Sequence, residues 1–110
     1  MEEQALQPDL SLHTNRAGTR AVVLIAGDLD AYSAATLEDE VSRLLADEVS
    51  ELVFDLSGTG FLDSSGLRAI LASEREISRH GGSLVLQGPS DPVRRLLEIT
   101  GLTDHFVLES

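Results

Sequence analysis

Two hydrophobic periods alternate along this chain. Arg20 to Ala26, R-A-V-V-L-I-A, is nearly continuously apolar and rich in β-branched residues, the pattern of a strand covered on both faces. From Ala34 to Ala46 the period becomes helical, with Leu37, Val41, Leu44 and Leu45 forming one stripe. The opposite face of that helix carries Glu38, Asp39 and Glu40, read as a solvated run of acids. Glu51 to Leu56 returns to a strand, and Ser57-Gly58-Thr59-Gly60 reads as a loop. Ser64 to about His80 is a second helix, with Leu67, Ile70, Leu71 and Ile77 inward, closed by Gly81-Gly82. Ser83 to Gln87 is a strand, and Asp91-Pro92 opens a third helix that ends at Gly101. His105 to Leu108 is a last short strand.

Ahead of these elements, residues 1–9 read as a loose lead-in and Leu10 to Thr14 as a short edge strand. The turn Asn15 to Thr19 joins that strand to Arg20 as a hairpin. The order β-β-α-β-α-β-α-β implies one α/β domain over residues 10–110, with a largely parallel sheet made mixed by the opening hairpin. Either Asp30 or Ser33 is placed to cap the first helix, and Ser64 the second.

Composition narrows the chemistry. The 110 residues suffice for one core, and a mean hydropathy of +0.02 excludes a disordered tail. The formal net charge is −11, which argues against nucleic acid or an anionic membrane as partner and suits a basic protein surface. There is no cysteine, and all eight basic residues are arginine. Thiol chemistry, a P-loop and a lysine Schiff base are therefore excluded. The acidic N-terminus lacks the apolar stretch of a signal peptide, and no apolar run approaches the length of a membrane span, so the cytoplasm is expected.

The stretch Phe54 to Leu71 organises the rest: a strand end, a glycine-punctuated turn and a helix start presenting Asp63, Ser64, Ser65 and Gly66. A nucleophile elbow needs a glycine two places before the serine, and Leu62 stands there. A phospho-acceptor role for Asp55 would call for a nearby lysine. Asp28, Asp30 and Asp63 could converge at the strand C-terminal ends and hold a cation, but turn formation is the preferred role for Asp28 and Asp30. Gly58-Thr59-Gly60 is only a fragment of a phosphate-binding loop. No catalytic residue, metal ligand set or cofactor is read. Ser64 has two compatible readings at this point, an N-cap serine and a phosphorylation site, since a helix N-terminus offers N–H groups to a phosphate.

The segments G-D-L-D at Gly27 to Asp30 and D-L-S-G-T-G-F-L-D-S-S-G-L at Asp55 to Leu67 resemble the STAS domain, and within it the bacterial anti-sigma factor antagonists. P-S-D-P-V-R-R-L-L-E-I-T-G-L at Pro89 to Leu102 is similar to that family's closing helix. The resemblance covers about Leu10 to Leu108. It implies a STAS-like mixed sheet of about five strands with helices mainly on one side. It implies phosphorylation at Ser64 by the anti-sigma factor, a GHKL-type serine kinase, and reversal by a PP2C-type phosphatase. The unphosphorylated form would bind the anti-sigma factor and free the sigma factor in a stress-type partner switch. Asp28, Asp30, Asp63, Ser65 and Gly66, with Ser64, are the partner-binding residues so implied. The alternative is a STAS module without phospho-switching, binding a nucleotide or lipid near Gly58–Gly60 or serving a transporter.

Overall fold

The computed structural model describes residues 9–110. The lead-in expected at residues 1–9 thus lies outside the described residues except for Asp9. In chain order the elements are β1 (Leu10–Ala17), β2 (Arg20–Leu29), α1 (Ala34–Ala46), β3 (Glu51–Asp55), β4 (Thr59–Leu62), α2 (Ser64–Arg79), β5 (Ser83–Gln87), α3 (Asp91–Thr100) and β6 (Val107–Glu109). The sheet is ordered β1-β2-β3-β5-β6, with β4 also on β2. Among the described residues only the β1–β2 pair is antiparallel.

The hairpin is longer than the sequence suggests. β1 runs through to Ala17, which pairs with Arg20, so the turn shrinks to Gly18-Thr19 with Gly18 at φ +63°. β2 likewise continues past Ala26 to Leu29 through an irregularity at Gly27/Asp28. β3 uses the Arg20–Leu24 half of β2 and β4 the Gly27–Leu29 half, so the supposed loop at Ser57 to Gly60 becomes the entry to a sixth strand.

One sheet face holds the core. Ala21, Val23 and Ile25 of β2, Leu52 and Phe54 of β3, and Leu84 and Leu86 of β5 are buried together. Leu37, Val41 and Leu44 of α1, Leu67, Ile70 and Ile77 of α2, and Val93 and Leu97 of α3 join the same cluster. All three helices therefore cover that face. β2 is not covered on both faces as its composition suggested, because Leu24 is exposed and Val22 only half-buried. The acids of α1 also divide: Glu38 and Asp39 are exposed, while Glu40 accepts from Thr14 Oγ1 of β1 at 2.5 Å and from Arg43 at 2.7–2.9 Å. The Arg43 hydrogen bond, opposed by burial and helped by Thr14, holds the Glu40 carboxyl below its ordinary value.

Candidate functional site

β2, β4 and α2 meet at one end of the sheet, and backbone contacts set their approach. Gly66 has no side chain because a Cβ there would lie 2.2 Å from the Leu29 carbonyl oxygen and 2.7 Å from Leu62 Cδ1. The first turn of α2 thereby packs directly on the end of β2, and Asp63 N donates to Leu29 O at 3.4 Å. Gly27, at φ +102°, leaves room for Asp9, whose carbonyl accepts from Asp28 N at 2.7 Å.

The capping assignment at α2 differs from the sequence expectation. Asp63, not Ser64, is the N-cap. Its backbone is extended (φ −112°, ψ −173°) and its Oδ1 accepts from Gly66 N at 2.9 Å. Ser64 is already helical and exposed, and among the described residues its Oγ has no hydrogen-bond partner. The hydroxyls of Ser33, Ser57, Ser73 and Ser90 are engaged, whereas that of Ser65, like that of Ser64, has no hydrogen-bond partner among the described residues. Ser65 is half-buried. One turn on, Arg68 is exposed on the face of Ser64, with no ion-pair partner among the described residues.

The acidic loop after β2 is built by a different pair. Asp30 Oδ1 accepts from Tyr32 N at 3.0 Å and Ser33 N at 3.2 Å, forming the turn. Ser33 is fully buried, donates its hydroxyl to Asp28 O at 2.7 Å and accepts from Asp30 N at 3.0 Å. Ser33 stands at the start of α1 but caps no helical N–H with its side chain. Asp28 pairs in register with Phe61 of β4, one residue before Leu29 pairs with Leu62. Asp28, Asp30, Asp63, Ser64, Ser65 and Gly66 thus gather at one end. Among the described residues, no cluster of three His, Asp or Glu is arranged to hold a metal ion.

Two readings of the neighbouring loop resolve. Asp55 Oδ1 accepts from Ser57 N at 3.0 Å and from Ser57 Oγ at 2.7 Å, so it orients the loop. Gly58-Thr59-Gly60 forms no open phosphate cradle: Gly58 O accepts from Gly27 N, Thr59 N donates to Leu56 O, and the buried Thr59 hydroxyl donates to Ile25 O at 2.7 Å. The nucleotide or lipid alternative placed there is therefore not favoured. Sequence reasoning missed Ser33 and Thr59 as shapers of the site. The Asp-x-x-Ser spacing at Asp30 signals the first, whereas only β4 pairing reveals the second.

The fold agrees with that of other proteins. The STAS domain family model matches residues 12–110, so the chain belongs to the STAS domain family. An anti-sigma-B factor antagonist of Listeria monocytogenes is 34% identical over 88 residues, covering 80% of this chain and 77% of that protein. The crystal structure of an anti-sigma factor antagonist from Mycobacterium paratuberculosis superposes with a TM-score of 0.80 at 29% identity, covering 93% of this chain and 87% of the other. The Bacillus cell fate determinant SpoIIAA, solved in its phosphorylated form, shares the fold at a TM-score of 0.73 and 20% identity, covering 91% of each chain. No helix among the described residues is long and apolar enough to cross a membrane.

Proposed function

We propose that this protein is an anti-sigma factor antagonist switched at Ser64. The unphosphorylated form binds a GHKL-type serine-kinase anti-sigma factor and frees the sigma factor. The carrying observation is that Asp63 caps α2, which leaves the exposed Ser64 hydroxyl without a structural task. Relatives named anti-sigma factor antagonists support the reading. The site of action is the cytoplasm, where transcription is controlled.

In the kinase step Ser64 Oγ attacks the γ-phosphorus of Mg-ATP. The new O–P bond forms as the bond to the β–γ bridging oxygen breaks, ADP leaves, and the hydroxyl proton passes to a base of the kinase. The product gains about −1.5 to −2 charges at neutral pH. α2 tolerates them, because its first N–H groups and the Arg68 side chain lie on the same side. The partner does not. A phosphoserine returning to an ATP-loaded kinase would occupy the position of the γ-phosphate and repel the rest. The block is local and needs no refolding. A PP2C-type phosphatase resets it by hydrolysis.

The roles of Asp28, Asp30 and Asp63 follow from charge: three carboxylates beside the acceptor face the basic surface that a nucleotide-binding partner presents. Asp63 and Gly66 also shape the turn, and Ser65 is a further partner-facing residue of the motif. The test is a pull-down and titration with the anti-sigma kinase. Ser64→Ala binds like the native protein and Ser64→Asp loses most of the affinity. A folded Ser64→Ala protein that fails to bind removes the switch.

A further inference from the structure

Two aromatic side chains at this end of the molecule have no place in the fold. Tyr32 is 82% exposed at the tip of the Asp30–Ser33 turn, and Phe61 is 48% exposed on β4. Neither serves the core: Leu29 and Leu62, the neighbouring registered pair, are the buried ones. The backbone that carries Tyr32 is nevertheless held in place, since its N–H is bonded to Asp30 Oδ1 and Ser33 beside it is anchored to Asp28 O. Phe61 is fixed by the β4 pairing with Asp28. The chain has only one tyrosine and three phenylalanines, and the other two phenylalanines, Phe54 and Phe106, are buried.

We propose that Tyr32 and Phe61 are the anchors of the surface that Ser64 presents, inserting into apolar pockets of a partner protein whose rims carry arginine or lysine. Charge complementarity selects this occupant. Asp28 and Asp30 stand beside the aromatics and Asp63 beside Ser64, so an anionic lipid surface or a nucleic acid would be repelled while a basic protein is drawn in. Large aromatics on a well-anchored backbone and surrounded by polar groups are among the residues that dominate interface affinity. Affinity then resides in the aromatics, association rate in the carboxylates, and regulation in the serine. The inference rests on the antagonist reading and adds to it the residues that supply the binding energy.

The experiment uses the full chain and the GHKL-type serine-kinase anti-sigma factor that binds it, loaded with Mg-ADP. Titrations compare the native protein with Tyr32→Ala, Phe61→Thr and, as control, Ile99→Ala, whose 74%-exposed side chain lies on the last turn of α3. Thermal melts check folding, and Phe61→Thr retains a strand-favouring residue. Each aromatic change weakens binding by about thirtyfold or more, chiefly through faster dissociation, and Ile99→Ala stays within about twofold. With Mg-ATP the same two variants are phosphorylated with a raised KM. If native protein binds and the folded aromatic variants stay within about twofold, the anchor assignment is overturned while the antagonist function stands. If the native protein binds no such kinase, both fall.

Discussion

Capping divides the labour between Asp63 and Ser64. An acid that accepts the Gly66 N–H at 2.9 Å leaves the next residue free to react without unravelling α2. Replacing Asp63 with alanine removes that bond and is expected to lower stability by about 1 kcal/mol, a melting shift of several degrees. Ser64→Ala should leave the melting temperature nearly unchanged, which separates cap from acceptor. Gly66 tolerates far less. The contacting oxygen of Leu29 belongs to backbone, so Gly66→Ala must push β2 and α2 apart. A loss of about 1–3 kcal/mol in urea unfolding is expected. Arg68→Ala should leave the melting temperature of unmodified protein unchanged and lower that of phosphorylated protein.

Elements hold the site through polar bonds between segments distant in sequence. Thr59 ties β4 to β2 with a buried hydroxyl, and Thr59→Val deprives the Ile25 carbonyl of that donor. A cost of about 1–3 kcal/mol is expected, measured by chemical denaturation. Glu40 ties α1 to β1 through Thr14 while pairing with Arg43. Because its folded pKa is lowered, this contribution is present above the ordinary glutamate value and disappears as pH falls through the lowered one. Glu40→Gln should therefore be less stable than the native protein at neutral pH, with the difference closing in acid. These ties also explain what could be read from sequence. The helical stripes of α1 and α2, the long apolar strand and the D-S-S-G turn were legible, because period and turn chemistry are local signals. β4 was not, since a segment with Gly58 and Gly60 gains its strand conformation only by pairing with β2. Ser64 as cap gave way to Asp63 because the two neighbours compete for one position, and only backbone geometry decides between them. Tyr32 and Phe61 passed unremarked because exposure of an aromatic is a property of the fold.

At the scale of the whole molecule, the chain that carries the proposed switch at Ser64 has a formal net charge of −11. The three helices share one sheet face, and the acidic loop, β4 and the head of α2 crowd together at one end. Association with the basic partner should slow as salt rises, while the contribution of the aromatic anchors is insensitive to salt. The most direct test of the account is incubation with the anti-sigma kinase and Mg-ATP, mass spectrometric location of the phosphate, and titration of both forms against the kinase. A single phosphate on Ser64 and binding by the unmodified form alone are the expected results. Phosphate elsewhere in the D-S-S-G turn would contradict the residue assignment, and equal binding by the two forms would contradict the switch itself.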